Sequence, residues 1–143
     1  MKDFDLVSII TPSYNSSSFI AQTIESILSQ TYVNWELLIT DDCSTDNTRD
    51  IVEYYQRKDS RIKFFQLKQN AGAAVARNHS IRMARGRYIA FCDSDDRWYP
   101  EKLEKQLAFM KEKEAVLSYT SYMTCDEHNT IMGIVVCEHS IDY

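Results

Sequence analysis

The stretch Trp35-Glu36-Leu37-Leu38-Ile39-Thr40-Asp41-Asp42-Cys43-Ser44-Thr45-Asp46-Asn47 decides the fold. Its first six residues form a short, largely apolar run of the kind a buried strand makes. Two adjacent carboxylates end the run, and Asp46 or Asn47 is placed to cap a helix whose apolar side is Ile51, Val52, Tyr54 and Tyr55. A buried strand that passes through a polar loop into a helix is the repeating unit of a parallel α/β sheet.

The unit recurs on both sides. Upstream, LVSIIT (residues 6–11) reads as a strand ending at Pro12, and Ser16, Ser17 or Ser18 can cap a helix with Ile20, Ile24, Ile27 and Leu28 at helical spacing. Downstream, residues 62–67 read as a third strand, residues 71–84 as an alanine-rich helix stopped by Gly86, and residues 88–92 as a fourth strand running into Asp93. Pro100 opens another helix with Leu103, Leu107 and Met110 on one face. Residues 116–125 and 130–137 read as two strands around the turn 126–129. The expected architecture is α/β: a doubly wound, mostly parallel sheet with flanking helices, in one domain over residues 1–143.

Composition narrows the function classes. With 44% hydrophobic and 26% charged residues, the chain has the balance of a globular protein, and its 143 residues suffice for a core without disulfides. Cys43, Cys92, Cys125 and Cys137 have neither C-x-x-C nor zinc-finger spacing; they read as small buried or strand-end residues and suggest a reducing compartment. Sixteen basic residues against twenty-one acidic give a net charge of -5, which argues against nucleic acid as a partner. The start MKDFDLVSIITPSYN has too short an apolar run for a signal peptide or a membrane span, so no transmembrane segment is expected and the chain is cytoplasmic in character.

Ligands of a wound parallel sheet bind outside the carboxyl ends of its strands, and polar clusters fall there. Pro12, Ser13 and Tyr14 set a rigid turn after the first strand, with an aromatic ring on which a nucleobase could stack. Asp41 and Asp42 close the second; with Ser44 or Asp46 available for capping, both are free to accept hydrogen bonds from a ligand. Asn70, Gly72 and Arg77 lie in NAGAAVARN, where small residues allow close backbone approach and Arg77 can reach a carboxylate or phosphate. Asp93-Ser94-Asp95-Asp96 is the sharpest signal, because three crowded carboxylates repel one another unless a hard divalent cation such as Mg²⁺ or Mn²⁺ is shared with substrate phosphates.

Taken in order, VSIITPSYN, SILSQTYVNWELLITDDCSTDNT, NAGAAVARN and YIAFCDSDDRWYPEKL resemble the donor-binding half of glycosyltransferase family 2 from residue 6 to about residue 125. The resemblance implies a GT-A, Rossmann-like fold and an inverting transfer of sugar from a nucleotide-diphosphate sugar, UDP-sugar favoured, to an acceptor hydroxyl. It implies that residues 12–14 lie beside the nucleobase, that Asp42 binds its imide N–H and that Asp41 supports the loop. Asp93 and Asp95 resemble the D-x-D motif, Asp93 toward the ribose and Asp95 on a Mn²⁺ or Mg²⁺ ion that bridges the phosphates, with Asp96 as a neighbour. The family setting is cell-surface polysaccharide or glycolipid synthesis, with association at the inner face of the membrane through the acceptor. The family carries its general base in a later segment, so the base is expected beyond Tyr143 and the chain alone is expected to bind donor without transferring sugar.

Two other readings remain. A sugar-phosphate nucleotidylyltransferase would need a glycine-rich, basic loop after the first strand, where TPSYNSSS has neither glycine nor Lys/Arg. A nucleotide-binding module without transferase activity would use the same donor residues. Ile131, Ile134, Val135 and Val136 add an apolar edge, from which self-association, most simply as a homodimer, is expected.

Overall fold

A computed structural model describes residues 5–137. The chain divides into two compact units, Met1–Leu103 and Glu104–Tyr143. The first unit carries strands β1 (Val7–Ser13), β2 (Trp35–Asp41), β3 (Ile62–Gln66) and β4 (Tyr88–Phe91), with helices α1 (Ile20–Leu28), α2 (Thr48–Lys58) and α3 (Ala73–Met83) between them. The sheet order is β3-β2-β1-β4 and every pairing is parallel, as the alternation of strand and helix requires.

Every residue of β1 and β2 is buried, which explains why they read as apolar runs and not as alternating patterns. Their Val7, Ile9, Ile10, Leu37, Leu38 and Ile39 form the core with Ile20, Ile24 and Ile27 of α1, Val52 of α2 and Ala76 of α3. Removing one of these isoleucines to alanine costs about 2–5 kcal/mol, because a closed core refills the cavity only in part.

One buried charge belongs to the sheet itself. Glu36 of β2 accepts from the Ser8 hydroxyl at 2.7 Å, from the Arg85 backbone N–H at 2.8 Å and from the Arg85 guanidinium at 2.7 and 3.0 Å. Burial alone would raise its carboxyl; the hydrogen bonds from Ser8 and Arg85, with the Arg85 charge, bring it below its ordinary range. The neighbouring Gly86 donates to the Ser8 hydroxyl at 2.8 Å, and a Cβ on Gly86 would lie 2.6 Å from the Leu6 carbonyl oxygen. Gly86 therefore permits close approach to β1 and is not the stop of α3, which ends at Met83 with Ala84 already extended.

Two further expectations change. Pro12 and Ser13 continue β1 instead of turning it. Ile10 offers its carbonyl toward β4, and Pro12 has the same parity, but the β1–β4 ladder ends at Ile10 and Phe91, so the missing N–H of Pro12 leaves no ladder bond unmade. Ser16, Ser17 and Ser18 give α1 no side-chain cap; the Ser16 carbonyl accepts the Phe19 and Ile20 N–H groups instead. Asp46 does serve α2, accepting the Thr48 N–H at 3.0 Å.

Helix α4 (Lys102–Glu112) starts two residues after Pro100. In the second unit, β5 (Tyr122–Cys125) and β6 (Ile131–Val135) pair antiparallel, and the Asp126 carboxylate closes their turn by accepting the His128 and Thr130 N–H groups. Residues 116–121 are not strand, because the pairing with β6 reaches back only to Tyr122; Val116 is 99% exposed. Ile131, Ile134, Val135 and Val136 are exposed among the described residues.

Candidate functional site

The strand order places the crevice. After β1 the chain builds outward to β2 and β3, then crosses back to β4 on the other side of β1. The loops after β1 and β4 therefore leave neighbouring strands at the reversal point, where open α/β sheets bind ligands.

The loop after β1 is locked to the loop after β2. Asn15, in the left-handed region that asparagine tolerates, donates its N–H to the Ser44 hydroxyl and accepts the Thr45 N–H, each at 2.8 Å. Ser16 and Ser17 donate their N–H groups to the Thr48 hydroxyl at 2.8 Å and the Asp46 carboxylate at 3.0 Å. Although desolvation opposes it, hydrogen bonds from Thr48 and Ser17 hold the Asp46 carboxyl well below its ordinary range. Fixed between these anchors, Pro12 and Ser13 are buried while the Tyr14 ring is 52% exposed at the crevice edge.

Asp41 and Asp42 are not the free carboxylates their loop position suggests. Asp41, fully buried, accepts the Ser44 N–H at 2.9 Å, the Ser44 hydroxyl and the Gln66 amide at 3.3 Å. Asp42, 2% exposed, accepts the Ala71 and Gly72 N–H groups at 2.7 Å, one on each oxygen, while its carbonyl accepts from the Asn70 amide at 3.2 Å. Gly72 makes this possible with φ of 92°, a conformation other residues rarely adopt. Asp42 thus shapes the entrance to α3, and only its remaining lone pairs are available to a ligand.

Helix α3 brings Arg77 to the acidic loop, where its guanidinium donates to Asp93 at 2.9 Å. Ser94 is turned the other way: its hydroxyl lies 2.7 Å from that of Ser16, and its carbonyl accepts the Thr23 hydroxyl at 2.9 Å. Asp95 is exposed. Partial desolvation, then repulsion from Asp95 and Asp93, pushes the Asp96 carboxyl up, although much of the residue is at the surface. Among the described residues no three carboxylate, imidazole or thiol groups converge on one point. This crowded, hard-oxygen donor set fits a cation held by one or two carboxylates and completed by phosphate oxygens, not a cage built by the protein alone.

Sequence reasoning missed Asn15, Ser16, Thr23 and Gln66. Only Asn15 left a signal, as an asparagine directly after a strand. The buried Thr11 hydroxyl of β1 has no partner among the described residues. A concavity of about 420 Å³ between α2 and β3, lined by Arg49, Glu53, Gln56, Arg57, Phe64 and Gln66, includes none of the expected site residues. Cys92 is buried, Cys43 partly so, and Cys125 and Cys137 are exposed, all as free thiols. No helix among the described residues is long and apolar enough to cross a membrane.

Relatives share this arrangement of sequence. The chain is 51% identical over 125 residues to the putative teichuronic acid biosynthesis glycosyltransferase TuaG of Bacillus subtilis, covering 87% of this chain and 50% of that protein. It is 46% identical over 144 residues to WfgD of Escherichia coli, a UDP-Glc:alpha-D-GlcNAc-diphosphoundecaprenol beta-1,3-glucosyltransferase, covering all of this chain and 55% of that one. The chain thus spans about half the length of these relatives. Among solved structures, S. aureus TarS in complex with UDP superposes with a TM-score of 0.71 at 37% identity, over 76% of this chain and 32% of that one. The Pyrobaculum calidifontis mannosyltransferase PcManGT, in complex with GDP-Man and Mn²⁺, gives 0.66 at 25% identity, over 84% and 35%. Residues 8–136 match the description of Glycosyl transferase family 2, and with its GT-A fold the chain belongs to that family of glycosyltransferases.

Proposed function

We propose that this chain binds the donor of an inverting transfer from a UDP-sugar to an acceptor hydroxyl in cell-surface polysaccharide or glycolipid synthesis. The observation that carries the reading is the Arg77–Asp93 contact at 2.9 Å, which ties α3, whose entrance Asp42 shapes, to the acidic loop after β4. Tyr14 stacks on the base, and Asp42 and the Asn70–Gly72 loop meet its polar edge. Arg77 and Asp93 orient the ribose and diphosphate, and Asp95, with Asp93 or Asp96, holds Mn²⁺ or Mg²⁺. When bound, that cation stabilises the charge that develops on the diphosphate as it leaves. The acceptor oxygen bonds to the anomeric carbon as the carbon–diphosphate bond breaks, and the single displacement inverts the centre. The base that takes the acceptor proton is proposed to lie outside residues 1–143.

The names of the relatives support this choice of donor and pathway class: WfgD for UDP-Glc, TarS for UDP and PcManGT for Mn²⁺. Action at the inner face of the membrane and self-association through the β5–β6 hairpin belong to the same proposal; sedimentation at rising concentration tests the latter. Calorimetric titration with UDP tests the core reading. UDP should bind in Mn²⁺, lose most of its affinity after chelation, and lose it equally in Asp95→Ala. Binding that is indifferent to chelation would sink the metal bridge, and preference for a guanine nucleotide would sink the base assignment. The 143-residue chain should bind donor yet release no UDP from a UDP-sugar.

A further inference from the structure

Residues 92–101 have no regular secondary structure, so beyond the Cys92 N–H, which donates to the Ile10 carbonyl at 3.1 Å, their backbone groups have no place in a strand ladder. Helix α1 and the residues just after it supply several partners. Thr23 and Ser26 lie at i and i+3, on one side of the helix, and Gln30 follows two residues after its end at Leu28. The Thr23 hydroxyl donates to the Ser94 carbonyl at 2.9 Å, and the Ser26 hydroxyl accepts the Trp98 N–H at 3.2 Å. The Gln30 amide donates to the Tyr99 carbonyl at 2.8 Å and accepts the Leu103 N–H at 3.1 Å. Thr23 is 1% exposed, so its hydroxyl sits where an amphipathic helix would otherwise present an apolar side chain, and Gln30, just beyond the helix, is 5% exposed.

We propose that Thr23 is a positioning residue for the nucleotide–metal site, acting through the Ser94 carbonyl, and that Ser26 and Gln30 anchor the far end of the same loop. The inference rests on the donor-site reading above. Ser94 stands between Asp93 and Asp95, and its carbonyl lies in the peptide it shares with Asp95, so holding it restricts the backbone from which the Asp95 carboxylate leaves. Ser16 meets the Ser94 hydroxyl from the loop after β1, which gives the residue a second tether at 2.7 Å. Neither tether touches a ligand. Each restricts the freedom that two exposed carboxylates would otherwise lose on gathering a cation and a diphosphate.

Partners that orient metal-binding groups typically contribute about 10–100-fold in metal affinity when removed. In the full chain, Thr23→Val keeps the shape and removes the hydroxyl. It should weaken the Mn²⁺-dependent component of UDP binding roughly tenfold, leave metal-free uridine binding unchanged, and regain wild-type behaviour as Thr23→Ser. Equal loss with and without Mn²⁺, no loss in Thr23→Val, or failure of Thr23→Ser to restore the metal dependence overturns the inference. If Thr23→Val does not fold, Thr23→Ala is read in the same way, and loss of folding in both overturns it by making the hydroxyl a determinant of folding. Wild-type protein that binds no UDP in Mn²⁺ would instead sink the donor-site reading itself, so the two failures are distinct.

Discussion

Arg77 and Asp93 pair at 2.9 Å across the crevice, from a helix and a loop that belong to different strands of the sheet. Their side chains are 34% and 54% exposed, so solvent screens the pair and its contribution to folding is about 0–1 kcal/mol. On the proposed donor-site reading, its value lies in placing one cation beside a cluster of carboxylates where a diphosphate would settle. Arg77→Ala should therefore leave the thermal midpoint nearly unchanged and weaken UDP binding by about tenfold, the loss of one charge-assisted hydrogen bond. Differential scanning fluorimetry beside calorimetry separates the two effects.

Asp42 should behave in the opposite way. Its two oxygens each accept a backbone N–H at 2.7 Å, and Asp42→Asn turns an amide donor toward one of them. The expected cost is about 1–3 kcal/mol, with UDP affinity falling as well because the 70–72 loop loosens. Urea denaturation measures the first, and hydrogen exchange at Ala71 and Gly72 should show faster opening.

Glu36 and Arg85 should give unequal losses. The Glu36 side chain is 3% exposed and that of Arg85 71%, so deleting the glutamate strands the Ser8 hydroxyl and the Arg85 N–H, whereas deleting the guanidinium leaves both bonds in place. Glu36→Ala should cost about 3 kcal/mol and Arg85→Ala less than half of that. Because the folded carboxyl titrates below its ordinary 4.5, its stabilisation is present above that pH and is lost as the pH falls through the folded value. Chemical denaturation at pH 7 and at low pH checks both statements.

Lys102 supplies an alkaline signature. Its ammonium lies 3.8 Å from the centre of the Trp98 ring, yet burial pushes its pKa down to about 8, from 10.5. Between these values the unfolded chain holds a proton that the folded chain has released, so this group's contribution to stability rises with pH across that window. Burial pushes the Cys92 thiol up from 9.0, which acts with the opposite sign above pH 9. Lys102→Met should be more stable than wild type at pH 7, and the difference should shrink as the pH climbs from about 8 to about 10.5. Thermal unfolding of both proteins across that range reads it directly.

The strands were legible because β1 and β2 are buried on both faces and so appear as continuous apolar runs; their ends fell within two residues of the observed ones. Pro12 was misplaced because nothing local reveals that β4 stops short of it. Gly86 was read as a helix stop because its steric partner, Leu6, lies far upstream in the chain. The acidic loops stand out in the sequence as crowded carboxylates at strand ends. The structural bonds of Asp42 do not show there, because its donors are backbone groups, which carry no residue identity, and of the side-chain donors to Asp41 one, Gln66, lies 25 positions away. Thr23 was invisible for the same reason: its partner is a carbonyl 71 positions away.

The central place of β1 also sets an order of assembly during synthesis. Val7 pairs with Trp35 on one side and with Tyr88 on the other. Strands β1, β2 and β3 can associate once Gln66 has emerged, but the second flank of β1 stays open until Phe91 follows it. Long-range parallel pairing is slow, and an apolar strand with an open flank is exposed to mispairing while it waits. A nascent chain paused between α3 and β4 would thus leave the β4-facing edge of β1, at Ser8 and Ile10, without its ladder partner. The loop bearing Asp93 and Asp95 is the last part of the crevice to receive its scaffold.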